Sequence, residues 1–257
     1  MLCDIKISIL LPCYNGERFL EQAINSVLNQ DYKNWELIII DGKSTDNSHE
    51  IISKYLSDER INWFKYNDRG ISDALNYALD FVQGGVIGYL GSDDYYDKNV
   101  FSKLAKFLDS KEKFYWIYGN SYNFYINKNY KVFIKPGRFL YNALFLGNFV
   151  GLQNCFFNSG VLTKYKFDET NRYSMDYELW FRLFKEYKPQ YINEVISYNI
   201  QSDNISSGIL SKKQSMEAYG VAKKNARTIF QKLLVLSRNI PIIGSAIIRI
   251  YKLFLAI

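Results

Sequence analysis

The stretch Gly88–Tyr96, GYLGSDDYY, decides the fold of this chain. It begins inside the short apolar run 86–90, whose length and bounding glycines are typical of a buried strand, and it leads directly into Asp93 and Asp94. Ligands of open α/β sheets bind outside the carboxyl ends of the strands, so these carboxylates are predicted to face a binding crevice. Two adjacent acids without a nearby Lys or Arg indicate a bound cation. The alternative is a solvated turn or helix cap.

The same arrangement recurs earlier in the chain. Four apolar runs predict strands over 5–11, 35–40, 61–66 and 86–90. Apolar residues at helical spacing predict a helix after each of the first three strands. Alternating strands and helices are typical of a parallel sheet. Asp41, Asp68 and the Asp93–Asp94 pair then lie at successive strand ends, which predicts that they share one edge of the sheet.

Length and composition favour one large domain, or a domain with an appendage. The chain has 257 residues, of which 48% are hydrophobic. Cys3, Cys13 and Cys155 are odd in number and lack metal-ligand spacing, so neither a disulfide framework nor a zinc site is predicted, and a reducing compartment fits best. No signal peptide is expected, because the first apolar run is short and ends at Pro12 without a small-residue cleavage site.

Positive charge is concentrated in the C-terminal part. The net charge is +6, and residues 211–257 contain nine basic residues and one acid, which leaves the preceding part at −2. This distribution argues against a nucleic-acid-binding domain and favours a local anionic partner.

Four segments of the first half resemble the nucleotide-sugar half of family 2 glycosyltransferases, which have the GT-A fold. The segments are SILLPCYNGERFLEQAINSVLNQ (8–30), WELIIIDGKSTDNS (35–48), NDRGISDALNYAL (67–79) and GYLGSDDYY (88–96). They occur in the family's order and spacing, so the resemblance is specific. It implies an α/β fold with a Rossmann-like, mostly parallel sheet flanked by helices, followed here by a helical C-terminal appendage.

The resemblance implies a set of donor-binding residues. In the family, the segment matching Pro12, Cys13, Tyr14 and Asn15 lines the uridine pocket, and the position matching Asp41 accepts a hydrogen bond from uracil. The chain has neither G-x-G-x-x-G after the first strand nor a P-loop motif, which argues against dinucleotide and P-loop binding.

The remaining donor-site expectations concern the metal and the phosphates. By resemblance, Asp94 binds Mn²⁺ or Mg²⁺ held by the diphosphate, and Asp93 lies near the ribose; a hard cation beside a pyrophosphate needs few protein ligands. Asp68 and Arg69 complete the expected donor site. The family often has an arginine on the following helix that reaches the phosphates, but Leu75 stands there, and Arg69 is a candidate substitute.

The segment that matches the family's acceptor motif opens a helix at Ser174, a predicted N-cap. The resemblance implies that Asp176 is the general base of an inverting transfer, which must remove a proton from the acceptor hydroxyl. The structural alternative, stabilisation of the positive end of the helix, is preferred for Glu178. Met175 replaces an acid that is common in relatives, and Leu152 lies near the place of an upstream histidine.

Two other groups of residues are interpreted from the sequence alone. The sole histidine, His49, is interpreted as a surface residue without a catalytic or metal-binding role. In the second half, strands are predicted over 114–119 and 153–157, with a strand pair over 122–134.

We divide the chain into a GT-A domain, residues 1–210, and a basic amphipathic helical tail, residues 211–257. The GT-A domain consists of a nucleotide-sugar half (1–97) and an acceptor half (98–210). Within the tail, 238–257 combines an apolar stripe with a basic one, which is typical of an interfacial helix. We expect peripheral contact with the inner face of the cell membrane for a cytoplasmic protein. The alternative is packing against the catalytic domain or a second copy, in a homodimer.

The sequence therefore predicts an inverting transfer of a sugar from a UDP-sugar to a saccharide or a lipid-linked saccharide, as in bacterial surface-polysaccharide synthesis. The alternative is a catalytically silent nucleotide-sugar-binding or scaffold subunit, which the departures at Leu75 and Met175 favour. A nucleotidyltransferase is disfavoured because no Gly-rich, Lys/Arg-containing loop follows the first strand.

Overall fold

A computed structural model describes residues 5–137, 139–201 and 209–238. Within these ranges, strands and helices alternate through the first half, as predicted. The strands are β1 (Ile7–Cys13), β2 (Trp35–Asp41), β3 (Ile61–Lys65), β4 (Val86–Tyr89), β5 (Tyr95–Tyr96), β6 (Trp116–Tyr125), β7 (Tyr130–Ile134), β8 (Cys155–Asn158) and β9 (Gln190–Gln201). The helices are α1 (Leu20–Leu28), α2 (Ser48–Ser53), α3 (Ile71–Ala78), α4 (Val100–Asp109), α5 (Ser159–Tyr165), α6 (Met175–Glu186), α7 (Ile209–Asn225) and α8 (Ile229–Ser237).

The described strands form one mixed sheet in the order β3-β2-β1-β4-β8-β6-β9-β5, with β7 paired to β6. The first half is parallel, as predicted: β1 pairs in parallel with both β2 and β4, and β2 with β3. Antiparallel pairs enter with β8, which lies between β4 and β6, although β6 and β9 are parallel. The sheet is therefore continuous across both predicted halves of the domain.

The core is divided between the two faces of the sheet. Side chains of β1 alternate, so that Leu10 faces one layer while Ile9 and Leu11 face the other. Helices α1, α2 and α4 cover the second layer, and α3, α6, α7 and α8 cover the first. Two parallel, stacked indoles, Trp116 and Trp180, lie at the centre of the first layer with ring centroids 4.9 Å apart.

The C-terminal region is helical, as expected, up to the last described residue. Ala222 of α7 and Leu234 and Val235 of α8 are buried in the layer that contains α6. These two helices therefore pack against the layer of the sheet that contains α6, while the apolar and basic stripes predicted over 238–257 lie outside the described residues except for Arg238.

The absence of a side chain at Gly88 allows β4 to lie close to β1, β5 and β8. A Cβ atom at Gly88 would lie 2.7 Å from Phe156 Cε1 and 2.8 Å from both Ile9 Cδ1 and the Tyr96 hydroxyl oxygen. Such distances are far below van der Waals contact, so β4 can lie between its neighbours only with glycine at this position.

We expect Gly88→Ala to lower the free energy of unfolding by about 1–3 kcal/mol, because the added methyl group overpacks the core. Gly220→Ala is the matched control: Gly220 lies inside α7 with no atom within 4 Å of an added Cβ. It should raise stability by about 0.5–1 kcal/mol. Urea unfolding of the two variants measures both effects, and equal stability of Gly88→Ala and the parent would contradict the packing argument.

Candidate active site

The loops that follow β1 and β2 are fastened to each other. The backbone N–H of Asn15 donates to Ser44 Oγ at 2.9 Å, and the N–H of Thr45 donates back to Asn15 Oδ1 at 2.8 Å. The N–H of Gly16 donates to Ser48 Oγ at 3.0 Å. Asn15 has a φ of 51°, a left-handed conformation that asparagine tolerates. These bonds hold the predicted residues of the first loop in a fixed position beside the end of β2.

Asp41 has one carboxylate oxygen that is saturated and one that is unpaired. Oδ1 accepts from the Ser44 N–H and lies 2.9 Å from His49 Nε2. Oδ2 is buried and has no hydrogen-bond partner among the described residues. Because a buried acceptor without a donor is costly, Oδ2 is suited to receive an N–H group from a bound ligand.

The interpretation of His49 as a surface residue missed its contact with Asp41. Its side chain is 32% exposed, and its ring centroid lies 5.3 Å from that of Trp63. An ionised carboxylate only accepts hydrogen bonds, so Nε2 of His49 is the donor in this contact. The two residues are eight positions apart, at the end of β2 and on α2, and no local sequence pattern reports that separation.

Asp68 faces the same concavity as Asp41. The N–H of Gly70 donates to Asp68 Oδ1 at 2.9 Å, while Oδ2 lies only 2.5 Å from where a Cβ of Gly42 would stand. Burial, together with the nearby charges of Asp73 and Asp41, raises the pKa of Asp68. The absence of a side chain at Gly42 thus allows this carboxylate to approach the end of β2.

The remaining residues predicted for the first loop differ in exposure. Tyr14 is exposed, and its ring lies 3.5 Å from the Cβ position of Gly42, so it borders the concavity that contains Asp41 and Asp68. Cys13 is buried, and burial raises the pKa of its thiol to about 11, so it is a wall residue without nucleophilic character. Pro12 lies beside Ile40 in the parallel register of β1 and β2.

Asp93 and Asp94 lie over Gly91, directly after β4. A Cβ at Gly91 would be 2.9 Å from Asp93 Oδ1 and 3.3 Å from Asp94 Oδ2. Asp94 Oδ1 accepts from the Ile200 N–H at 2.9 Å, which ties the pair to the end of β9. Burial raises the pKa of both carboxyls, and the charge of Asp93 raises that of Asp94 further.

The pair fits the expected metal. No Lys or Arg of the described residues forms an ion pair with Asp93 or Asp94, and no group of three or more His, Cys, Asp or Glu side chains with ligand geometry exists there. Two carboxylates with no protein cation beside them are suited to hold a hard divalent ion that takes its other ligands from phosphate and water. Within the described part of the chain no hydrogen bond engages Asp94 Oδ2, so this oxygen would be available to such an ion.

Asp176 occupies the first turn of α6 and is half-buried. Its Oδ2 accepts from Asn148 Nδ2 at 2.7 Å, and its Oδ1 accepts from the backbone N–H of Tyr177 at 2.7 Å. Burial outweighs both hydrogen bonds and raises the pKa of Asp176 to about 6. Asn148 was not identified from the sequence, since it lies in an irregular segment far from α6 along the chain.

The hydroxyl of Tyr89 connects the two groups of acids. It is buried, and burial together with the charges of Asp93, Asp94 and Asp176 raises its pKa. The charges of acids from two distant parts of the chain, the end of β4 and the start of α6, thus act on one phenol. That these acids belong to one site stays a prediction.

The start of α6 is held by α7 in a way that the sequence did not indicate. Ser174 is at the N-cap position, as predicted, but its hydroxyl donates to the carbonyl of Gln214 and forms no cap bond. The side chain of Glu217 instead accepts from the backbone N–H groups of Arg172, Tyr173 and Ser174 at 3.1, 2.8 and 2.7 Å. An acid of the tail thus caps the helix that carries Asp176.

Arg69 lies beside the strand-end acids but is engaged by two carboxylates. Its guanidinium contacts Asp73 at 3.0 Å and Glu169 at 2.6 Å, at the mouth of a pocket between the start of α3 and residues 169–172. Leu75 is fully buried and carries no charge to this edge. Arg69 is thus paired with two acids of the chain, and an anion would have to displace Glu169 to bind to it.

The two neighbours of Asp176 singled out in the sequence have structural roles. Glu178 forms an ion pair with Arg182 at 2.7 Å, and Arg182 also donates to the carbonyls of Tyr165 and Lys166. Met175 is buried, with its sulfur 3.3 Å from Ser72 Oγ. The preference for a structural role of Glu178 agrees with this geometry.

Comparison with known proteins identifies the family. Residues 8–203 match the model of Glycosyl transferase family 2. The chain is 31% identical over 210 residues to the Escherichia coli UDP-Glc:alpha-D-GlcNAc-diphosphoundecaprenol beta-1,3-glucosyltransferase WfgD, across 79% of this chain and 81% of that protein. The chain therefore belongs to glycosyl transferase family 2, and it is a glycosyltransferase.

Solved structures show the same fold. The complex of S. aureus TarS 1-349 with UDP-GlcNAc superposes with a TM-score of 0.68 at 16% identity, covering 91% of this chain and 71% of that one. The mannosyltransferase PcManGT from Pyrobaculum calidifontis, in complex with GDP-Man and Mn²⁺, gives a TM-score of 0.65 at 14% identity, covering 91% and 69%. The GT-A fold expected from the sequence is confirmed.

The raised pKa of Asp176 predicts a cost in stability. Folding raises this pKa from 3.8 to about 6, so the native state binds the proton more tightly than the unfolded chain, and the contribution of Asp176 is lost as pH rises from about 4 to about 6. We expect the free energy of unfolding of Asp176→Asn to exceed that of the parent by about 1–3 kcal/mol at pH 7.5. The difference should shrink at pH 5. Urea unfolding at both pH values measures it, and a pH-independent difference would contradict the burial argument.

Proposed function

We propose that this glycosyltransferase moves a sugar, with inversion, from a UDP-sugar to a saccharide or a lipid-linked saccharide, with a divalent metal ion bound at Asp94. The observation that carries the proposal is that the charges of Asp93, Asp94 and Asp176 all act on the Tyr89 hydroxyl. It supports a metal-binding pair and a general base that share one crevice.

The donor site is assigned to the loops after β1, β2 and β3. Asp41 Oδ2 is a buried acceptor without a partner, and the N3–H of uracil is a donor that cytosine lacks. Pro12, Cys13, Tyr14 and Asn15 form the wall beside it, with Asp68 and Arg69 at the far rim. TarS, which shares the fold, binds UDP-GlcNAc and UDP in its solved complexes.

The metal is assigned to the acids after β4. Asp94 Oδ2 would bind Mn²⁺ or Mg²⁺, with Asp93 beside the ribose. When bound, the ion offsets the negative charge that grows on the departing diphosphate. The carboxylates themselves are held ready by the Ile200 N–H, which fixes Asp94 Oδ1 and leaves Oδ2 directed toward the crevice.

Asp176 is assigned as the general base. The acceptor hydroxyl gives its proton to the Asp176 carboxylate while its oxygen forms a bond to the anomeric carbon, and the bond from that carbon to the diphosphate breaks, so that UDP leaves from the opposite face. With a pKa of about 6, Asp176 is ionised at neutral pH and still basic enough to take the proton. Asn148 orients the carboxylate through Oδ2.

A lipid-linked acceptor is proposed from the relative WfgD, whose substrate by its name is a GlcNAc-diphosphoundecaprenol. Among the described residues, none of the helices has the length and apolar character needed to cross a bilayer. We propose that the protein acts in the cytoplasm at the inner face of the membrane. Residues 1–210 are proposed as the catalytic domain and 211–257 as the tail.

Asp176→Asn should reduce turnover at least 100-fold, because general-base catalysis is worth ~10²–10⁴. UDP affinity measured by calorimetry with Mn²⁺ should remain within twofold of the parent, and the parent's kcat should rise with pH through about 6. Glu186→Gln, at the far end of α6, is the matched control. Full activity of Asp176→Asn would refute the base assignment, and an inactive parent that still binds UDP would favour the silent-subunit alternative.

Asp94→Ala should weaken the Mn²⁺-dependent part of UDP binding. Metal-free affinity should change little, because the uracil contact is made elsewhere. Calorimetric titrations of UDP, GDP, CMP and dTDP with and without Mn²⁺ provide the comparison. Failure of every nucleotide to bind would overturn the donor-site assignment.

His49 should act by positioning Asp41. His49→Leu should weaken UDP binding about 10- to 150-fold, the effect of losing one hydrogen bond to a charged group, and should reduce discrimination against CDP. His49→Gln keeps a donor on a side chain of similar reach and should recover most of the affinity. Glu50→Leu, an exposed neighbour on α2, is the control. Equal affinities of His49→Leu and the parent would show that Asp41 is oriented without it.

A further inference from the structure

Helix α8 is apolar on the side that faces away from the protein. Its exposed apolar residues, here called the outer face of α8, are Ile229, Phe230, Leu233 and Leu236, with exposed fractions of 78, 52, 57 and 53%. Leu234 and Val235, on the inward side, are buried at 4 and 3%. The helix is thus apolar on both sides. Packing in the core explains the apolar residues of its inner side but not those of its outer side.

The outer face of α8 is held in a fixed place. Thr228 and Gln231 form a reciprocal capping box at its start, and Gln231 also donates to Asn142 Oδ1 at 3.3 Å. At its other end, Arg238 lies 3.5 Å from the hydroxyl of Tyr177, the residue that follows the proposed base. A surface bound to the outer face would therefore lie on the acceptor side of the crevice.

The charges around the outer face are all of one sign. Exposed basic residues precede it and lie within it: Lys223, Lys224, Arg227 and Lys232. None of the four forms an ion pair within the described residues. Glu217 is the last acid of the whole sequence, and its carboxylate is directed inward onto the N–H groups that precede α6. The charge of Asp168 reaches Lys224, but the region keeps an excess of positive charge and consequently attracts anions.

We infer that the outer face of α8 docks onto the surface of an anionic lipid bilayer. An apolar helix face bordered by lysine and arginine is the pattern of a helix that lies in the plane of a membrane interface. A second copy of the chain fits less well, because a helix of nine residues is about 14 Å long and offers much less than the ~800 Å² per partner that a stable interface needs.

This docking extends the proposed function, on which it rests in one respect: a lipid-linked acceptor would be presented from the membrane to which α8 binds. The docking surface lies on described residues that precede 239–257. It therefore differs from the interfacial helix predicted in the tail, and the two can be tested separately.

The test is sedimentation of the full chain with sucrose-loaded vesicles of phosphatidylcholine, alone or with one quarter phosphatidylglycerol. We expect at least tenfold tighter binding to the anionic vesicles, weakened by salt. The double substitution Phe230→Gln, Leu233→Gln should reduce this binding at least tenfold. The matched control, Val132→Gln with Phe133→Gln, removes two exposed apolar residues from β7 and should leave it unchanged.

Calorimetry with UDP and thermal unfolding accompany each variant. Unchanged vesicle binding of the α8 variant, or equal losses in both variants, would overturn the docking proposal. The docking proposal would also be overturned if the parent did not bind vesicles but formed a dimer that dissociates in the α8 variant. That result would identify a second copy as the occupant. A lower unfolding temperature with unaltered vesicle affinity would show that residues of the chain itself cover the face. UDP binding that persists in all these cases would leave the proposed function standing while the docking proposal fails.

Discussion

The structure depends on the desolvation of carboxylates that converge without a protein cation to neutralise them. Burial raises the pKa of Asp68, Asp93, Asp94 and Asp176, and an oxygen of Asp41 is buried without any donor. Each group alone would be an unfavourable element of a fold. Under the proposed function, a ligand that brings a divalent cation and N–H donors would meet their electrostatic and hydrogen-bonding requirements. The fold holds these groups in place because surrounding packing and backbone hydrogen bonds are strong enough to do so.

Much of this arrangement could be predicted from the sequence, because it follows from local patterns. Apolar runs ended by acids gave β2 and β4 with Asp41, Asp93 and Asp94 at their ends, and parallel strands bring such ends to one edge of a sheet. The second half was harder to predict. Strands expected separately at 114–119 and at the start of 122–134 are one strand, β6, and β8 lies between it and β4. When a strand from a distant part of the chain is inserted antiparallel into a sheet, no periodicity in the sequence predicts its place.

The contacts that sequence reasoning missed are those between residues distant along the chain. Asn148 reaches Asp176 from an irregular segment, and His49 reaches Asp41 from one turn into a helix. Glu217 binds the N–H groups that precede α6, while the Ser174 hydroxyl, which was expected to cap that helix, donates to Gln214. In each case the residue type is common and its partner is set by tertiary packing, so no spacing rule identifies it. The motifs predict which groups do the chemistry, and the structure was needed to find which residues contact those groups.

Helices α7 and α8 contact the start of α6. Glu217 of α7 binds the backbone immediately before α6, and Arg238 at the end of α8 lies against Tyr177 within the first turn of that helix. Asp176 therefore has its backbone fixed from the tail and its side chain fixed by Asn148. On the proposed function and the inferred docking, the sugar hydroxyl would meet the Asp176 carboxylate while the lipid stays in its bilayer. The thickness of the layer formed by α6, α7 and α8 would then set the distance between the two.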